Sequence, residues 1–402
     1  MKKVELISPA GNFEKAKIAF HYGADAIYLG GKLFNLRKRA GNLSYNEIEQ
    51  IVKLAKGKKK EVYLTLNIFF RNDDFKELKE YLLNLYDIGI RNLIVSDIGC
   101  IYFINKNFKD RFNLTLSTQA NLTNIYAAEF YKELGLKRVT LARELSLNEI
   151  KEIKSKVNIE VETFIHGAMC MSYSGRCILS EYFTGRSANR GDCSQPCRWE
   201  YVLKEKRRDF PVLDIEEDEK GTYLLSSKDL CMIEDISKLI EAGIDSFKIE
   251  GRMKSIYYVA NTTRVYRDAI DSFYKGDVGK MDIWREELDS FSHRPYFKGF
   301  YFGYNGASLS FDKNYKRHYK FIGYITDKFN EQTYEVKIMN KLKSDDKIEI
   351  ILPNMKNIKE IDFKILDKDF KMVDEANINE KYYLDFDNIS ETVDYGIIRV
   401  KE

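Results

Sequence analysis

Long apolar runs are missing from this chain: no stretch approaches the roughly 18 uninterrupted apolar residues that a membrane span requires. The opening MKKVELISPAG carries two lysines but no apolar h-region of useful length. A membrane span and a secretory leader are therefore not expected, and the protein should stay in the cytoplasm. An excess of one charge is missing as well. With 65 basic against 62 acidic residues the formal net charge is +3, which gives no strong global field, so any nucleic-acid surface has to be local. Six cysteines in 402 residues are too few for a disulfide scaffold, and in a reducing compartment clustered cysteines more often mean metal or redox chemistry. A G-x-G-x-x-G turn is absent from the first crossover, and Gly30-Gly31 reads as a tight strand exit, not a dinucleotide signal. No internal repeat or low-complexity segment stands out.

What is present is a globular alternation. The 44% hydrophobic content can fill a large barrel with an appendage, or two domains. Short β-branched and apolar runs recur between segments of helical period, and most run into Gly, Asn, Asp, Gln, Glu or Arg at their ends. The strands are read at Val4 to Ser8, Ala24 to Gly30, Glu61 to Asn67, Asn92 to Ser96, Asn113 to Ser117, Arg138 to Ala142, Ile159 to Ile165 and Ser246 to Glu250. Helices are read at Asn12 to Tyr22, Asp74 to Tyr86, Thr123 to Leu134 and Leu147 to Lys156, among others. Near-continuous apolar strands such as VYLTLN and NLIVSD suit parallel strands buried on both faces. Eight such units predict an α/β fold, a closed (β/α)8 TIM-like barrel.

One unit is abnormal. About sixty residues separate the seventh strand from a helix read at Asp229 to Ala242, where ordinary βα loops have roughly 2–6. In this architecture βα loops emerge at the C-terminal face, where active sites sit. The expected layout is thus a catalytic domain over residues 1–303 with a cysteine-bearing insertion at about 167–227, a linker over 304–317, and a small all-β domain over 318–402. The last follows from short β-rich runs such as TYEVKIM, DKIEIILP and KYYLDF separated by polar turns. The segment between a helix ending near Lys275 and Gly303 reads as loop, with HRPYFKGFYFG its densest aromatic part.

Five of the six cysteines fall within 62 residues: Cys170, six residues, Cys177, fifteen, Cys193, three, Cys197, then Cys231. Thiolates are soft anionic donors that suit tetrahedral zinc or an iron-sulfur cluster. Structural zinc usually takes two close C-x(2-4)-C pairs, and only Cys193 and Cys197 supply one, which favours a cluster. Five thiols compete for four places. Cys231 is expected in the first turn of a helix capped by Ser226, Ser227 or Asp229, where the helix dipole favours a thiolate. Cys100 stands apart and reads as a small buried hydrophobe.

His166 ends the seventh strand, directly before the cysteines, and points toward the expected mouth. With Glu250 and Arg252 it is a candidate for a catalytic role. Asn67, Gln119 and Arg143, also at strand ends, are candidates for substrate contacts, as are Arg176 and Arg198 in the insertion, where arginines interleave with Tyr173, Tyr182, Phe183 and Trp199. Arginine beside aromatics can hold phosphate and stack a base, or bind an anionic small molecule. Asp97 and Glu144 occupy similar strand-end positions. Each has a plain structural alternative, as a helix cap or an ion-pair partner.

The run ETFIHGAMCMSYSGRCILS, from Glu162 to Ser180, resembles the signature of the peptidase U32 family, and GDCSQPCRWEY, SSKDLC, KIEGRMKS and the opening ELISPAGNFEKAKIAFHYGADAIYLGG are similar too. Within that family the motif set is most similar to the prephenate-dependent tRNA uridine hydroxylases. The resemblance implies a barrel followed by a small β domain, a [4Fe-4S] cluster, and oxygen-independent hydroxylation of wobble uridine 34 to 5-hydroxyuridine with prephenate as co-substrate. It implies Cys170, Cys177, Cys193 and Cys231 as the cluster ligands, with Cys197 as an alternative, and the tRNA anticodon loop as partner; a related U32-family subunit is a further candidate partner. Relatives often read H-R-G-Y where this chain has His293-Arg294-Pro295-Tyr296.

Three rival readings follow. The family label suggests a peptidase or collagenase, yet the chain has neither HExxH nor G-x-S-x-G. Relatives hydroxylate ribosomal RNA or a ubiquinone precursor. The third is a non-catalytic RNA-binding module with structural zinc.

Overall fold

The computed structural model describes residues 3–36, 42–170, 176–199, 217–218, 221–222, 228–277, 279–303, 318–359, 361–387, 389 and 392–402. The tip of the insertion, Ser226 and Ser227, Tyr173 and the linker 304–317 lie outside them. Two compact units form: Met1–Lys17, Asp25–Met253 and Arg294–Asn314 make the first, and Ile18–Ala24, Lys254–His293 and Tyr315–Glu402 the second.

The first unit holds a closed barrel. Its parallel strands are β1 (Glu5–Pro9), β2 (Ala26–Leu29), β3 (Glu61–Leu66), β4 (Asn92–Val95), β5 (Asn113–Leu116), β6 (Arg138–Thr140) and β7 (Glu160–Ala168). A hairpin of β8 (Glu217–Asp218) and β9 (Gly221–Thr222) and then β10 (Asp229–Cys231) precede β11 (Ser246–Ile249), which pairs with both β1 and β7 and closes the ring. Between the strands lie α1 (Phe13–His21), α2 (Tyr45–Gly57), α3 (Asp74–Asp87), α4 (Ile98–Asn107), α5 (Ile125–Glu133) and α6 (Leu147–Lys156), and the insertion carries α7 (Leu179–Thr184). Local chemistry sets the helix starts. Ser44 with Glu47 and Ser146 with Glu149 form reciprocal capping boxes on α2 and α6, each satisfying two amide donors that a helix start leaves open. Asp97 caps α4, accepting from the Cys100 amide at 2.9 Å.

Two expectations need correction. Cys231 does not lie in a helix: residues 229–231 form β10, antiparallel to β7 with Cys231 opposite His166, and the helix α8 starts later (Ile236–Glu241). The backbone amides of 229–232 have partners in strand geometry, Met232 N donating to Ile165 O at 2.9 Å, so the sheet edge of β7 outcompetes a local cap. Residues 276–303 are not all loop, since α10 (Met281–Leu288) follows α9 (Ile256–Lys275), and β12 (Tyr296–Phe297) adds to β10.

The second unit builds an eight-stranded antiparallel sheet. Its strands are β13 (Tyr319–Lys328), β14 (Thr333–Ile338), β16 (Ile348–Ile351), β17 (Asn357–Lys359), β18 (Phe363–Leu366), β19 (Met372–Val373), β21 (Lys381–Phe386) and β22 (Ile397–Lys401); β15 (Leu342–Lys343) pairs separately with β20 (Glu375–Ala376). Alternate residues of these strands, such as Ile322, Tyr334, Val336, Ile350, Leu384 and Ile398, fill one core. Within this unit Glu287 of α10 is buried between Arg264 of α9, at 2.7 Å, and Arg399 of β22, at 2.8 Å, while Arg399 also reaches Glu349 at 2.9 Å. Burial pushes the Glu287 carboxyl up, but the two guanidiniums outweigh it and hold it down at about 2. A depressed carboxylate stabilises above its unfolded value and ceases to as pH falls through the folded one. Glu287→Gln is therefore expected to cost about 3–5 kcal/mol at neutral pH, the usual penalty for a stranded buried charge. The deficit in urea denaturation should shrink as pH falls from about 4.5 toward about 2. A pH-independent deficit would count against this role.

Among the described residues no helix is long and apolar enough to cross a membrane.

Candidate active site

Strand ends at the C-terminal mouth of the barrel converge on one pocket. Tyr28, Thr65, Asn67 and Ile94 line it from β2 to β4; Ser117, Thr118, Gln119 and Arg143 come from the segments after β5 and β6; Phe164, Lys248, Glu250 and Arg252 come from β7 and β11 and the residues after it. Five of the residues singled out by strand-end position thus meet: Asn67, Gln119, Arg143, Glu250 and Arg252.

Arg252 is buried and held by Asn35 Oδ1 at 2.5 Å and Thr65 Oγ1 at 3.2 Å. It crosses directly over Gly30, where a Cβ would lie 2.3 Å from its Nη1; the first glycine of the strand exit exists to let the guanidinium through. Asn67 joins the loops by accepting from the Leu36 amide at 3.2 Å and donating to Gln119 Oε1 at 3.3 Å. The guanidinium of Arg143 stacks 4.1 Å from the Phe164 ring centre and donates from Nη1 to Ala168 O at 3.2 Å. Its Nε is buried with no acceptor among the described residues. A buried N–H without a partner is costly, so this donor is suited to an incoming acceptor.

Sequence reading missed Lys248, although a lysine inside the apolar run SFKIE was a legible signal. Its Nζ lies 2.8 Å from Glu162 and 4.8 Å from the Tyr28 ring centre. Glu162, fully buried, also accepts from Thr140 at 2.7 Å and Ser246 at 3.2 Å. Burial alone would raise its carboxyl, yet Lys248 and Arg138 hold it below the ordinary glutamate range. Three cations and one carboxylate, Glu250, therefore line the pocket, and Glu162 orients one of the cations from beneath.

The other candidates lie elsewhere. His166 is buried, in contact with Tyr296 at 5.3 Å between ring centres, and is not among the lining residues. Arg176 is exposed, its guanidinium 5.6 Å from the Phe69 ring centre. The side chain of Arg198 is outside the described residues. Asp97 serves as the α4 cap, and Glu144 is raised by burial without lining the pocket. Two further arginines of the insertion are structural: Arg186 pairs with Asp192 at 2.8 Å, and Arg190 clamps Asp74 at 2.9 and 3.0 Å while donating to Phe69 O at 2.8 Å. Arg190 thereby fastens the insertion to the loop after β3, next to Asn67.

None of the six cysteines is in a disulfide. Cys170 and Cys193 are exposed, Cys177, Cys197 and Cys231 half-buried, and Cys100 buried. Burial raises the Cys100 thiol far above its ordinary range, which makes it a poor ligand. The other five, unbridged and accessible on the insertion and β10, fit a sulfur-ligated centre by their donor chemistry. Among the described residues no three His, Cys, Asp or Glu side chains are gathered in the geometry of a metal site.

Comparisons with known proteins agree on family. The chain is 43% identical over 382 residues to the tRNA hydroxylation protein P1 of Bacillus subtilis, covering 93% of this chain and 90% of that one. It is 38% identical over 287 residues to the 23S rRNA 5-hydroxycytidine C2501 synthase of Escherichia coli, covering 71% and 42%. To a protein named collagenase from Porphyromonas gingivalis it is 33% identical over 313 residues, covering 74% and 73%. The model of peptidase family U32 matches residues 11–310, and that of its C-terminal domain matches 317–399; the chain belongs to peptidase family U32.

Proposed function

We propose that this protein is an RNA hydroxylase that converts wobble uridine 34 of tRNA to 5-hydroxyuridine, with prephenate as the hydroxyl source and a [4Fe-4S] cluster on Cys170, Cys177, Cys193 and Cys231. The observation that carries the reading is a barrel mouth lined by Arg143, Lys248 and Arg252, beside which Arg190 ties the thiol-bearing insertion to Phe69 and Asp74 after β3. The names of the relatives from Bacillus subtilis and Escherichia coli support hydroxylation of RNA. The higher identity and near-complete coverage of the first favour tRNA over ribosomal RNA. Such a role belongs in the cytoplasm.

When bound, the cluster supplies one-electron or Lewis-acid chemistry. The chain's own part is positioning. A small dicarboxylate meets the spare Nε of Arg143 and the fork of Arg252, and charge-assisted bonds of this kind are roughly twice as strong as neutral ones. In this reading prephenate is the two-electron oxidant: the base exchanges its C5–H for C5–OH, the prephenate carbon that loses the hydroxyl gains a hydrogen in its place, and Glu250, the one carboxylate among the lining residues, relays the proton between them. Extrusion of the base into the mouth gives it access to the reacting group.

The reading is tested by mass spectrometry of nucleosides from tRNA of a deletion strain that also lacks any paralogue. Loss of 5-hydroxyuridine derivatives, restored by the cloned gene, is expected; their persistence would sink it. Cleavage of denatured collagen by metal-free protein, with tRNA unchanged, would favour peptide hydrolysis.

Gly30→Ala offers a local check. The added methyl must displace Arg252, and a misplacement of about 1 Å can cost on the order of 10²-fold in rate. A comparable fall in kcat/KM for hydroxylation with little change in melting temperature is expected, whereas unaltered kinetics would remove Arg252 from the reaction.

A further inference from the structure

The aromatic segment around Arg294 contributes nothing to the pocket lining, yet it is tied to the strand that carries Cys231. The guanidinium of Arg294 and the carboxylate of Asp229 are 9% and 5% exposed. Nε and Nη2 of Arg294 donate to Asp229 Oδ1 at 3.1 and 2.5 Å, and the Arg294 amide donates to Oδ2 at 3.2 Å. The Asp229 amide in turn donates to Pro295 O at 3.1 Å. Two residues on, β12 runs parallel to β10, with Asp229 opposite Tyr296 and Leu230 opposite Phe297. The chain then turns at Gly299, whose φ is +59° and where a Cβ would sit 3.0 Å from Leu230 Cδ1.

A three-residue strand has little stability of its own. β10 is held on one side by β7, with Cys231 in register with His166, and on the other by β12. The buried ion pair locks the second side at the residue two positions before the thiol. Cys170 follows the other end of the same pairing, two residues beyond Ala168, which faces Asp229.

We propose that Asp229 and Arg294 are positioning residues: their ion pair fixes β10 between β7 and β12 so that the Cys231 thiol is presented to the thiols of the insertion. This also accounts for the tolerance of proline at 295. Its amide is not called on in the β10–β12 ladder, whereas its carbonyl is. The inference rests on Cys231 serving as a cluster ligand, and the experiment separates the two claims.

Full-length protein is compared as wild type, Arg294→Lys, Asp229→Asn and Lys298→Ala. The last removes a more exposed cation, which contacts Glu234, Asp235 and the Phe302 ring but not β10. In metal-free protein, iodoacetamide labelling is followed at each cysteine by peptide mapping, with the exposed Cys193 as internal reference. Because labelling of a half-buried thiol follows local opening, loss of the lock is expected to speed Cys231 by about fivefold or more in Arg294→Lys and Asp229→Asn. Cys193 should stay unchanged, and Lys298→Ala should match wild type. After anaerobic reconstitution, the same two variants are expected to hold less than half the wild-type iron, or to show an altered electron paramagnetic resonance signal. Should Arg294→Lys fail to melt cooperatively, Asp229→Asn carries the comparison. Wild-type labelling rates at Cys231 in both variants would overturn the inference, as would an equal acceleration in Lys298→Ala. A wild-type protein that takes up no iron would instead remove the cluster reading, and the labelling rates would still decide the positioning claim.

Discussion

Serine in place of Cys170, Cys177, Cys193 or Cys231, one position at a time, is expected to abolish tRNA hydroxylation and to lower bound iron from about four atoms per chain to under about one, since each thiolate of a four-cysteine cluster is a bond to iron. Cys100→Ser is expected to keep both iron and activity, because that thiol is buried beneath the α4 cap and held far from the thiolate form. Cys197→Ser is the discriminating variant. Cys197 lies in a short turn, Pro196–Arg198, four positions beyond Cys193, and normal iron in this variant assigns the fourth place to Cys231. Iron and acid-labile sulfide, measured on anaerobically purified protein, check the series. Zinc at one per chain without sulfide, in wild type, would replace the cluster by a structural metal.

The second large effect is expected at Lys248. Lys248→Met takes from the fully buried Glu162 its partner at 2.8 Å and leaves it only Arg138, at 3.5 Å, as a counter-charge, and breaking one side of a buried pair costs up to about 3–5 kcal/mol. The compensating double variant Lys248→Met/Glu162→Gln removes the under-compensated charge and should recover most of that stability in urea denaturation. Its activity should not recover. A cation that meets developing negative charge is worth on the order of 10²–10³ in rate, so kcat/KM is expected to remain depressed by that factor. A double variant with wild-type kinetics would reduce Lys248 to a structural partner of Glu162. The pH dependence has a stated sign: Glu162 is depressed in the folded protein, so the pair stabilises at neutral pH and its contribution fades as the carboxylate protonates in acid.

Much of the barrel could be read in advance because its determinants are local. Apolar runs such as VYLTLN became β3, and capping residues such as Ser44 and Ser146 start helices through bonds spanning three residues. Strand-end position also brought Asn67, Gln119, Arg143, Glu250 and Arg252 to one pocket, since closing a parallel barrel sends every strand end to the same rim. His166 does not join them on the lining. The strand expected to stop at Ile165 runs on to Ala168, with β10 paired alongside His166 and Tyr296 packed on its ring.

Taken alone, the order of residues determined the eight βα units, the β-rich C-terminal region, the family signature and the crowd of thiols, all of which depend on near neighbours or on period. Tertiary structure decided what depends on distant partners. It turned 229–231 from a helix start into a strand because β7 offered amide and carbonyl partners more than sixty residues away. It made an ion-pair anchor of Arg190 by bringing Asp74 to it from 116 positions away. It also placed Lys248 on the pocket wall by burying Glu162 beneath it. A charge inside an apolar strand is visible in sequence, but its meaning is set by the counter-charge that the closed barrel brings against it.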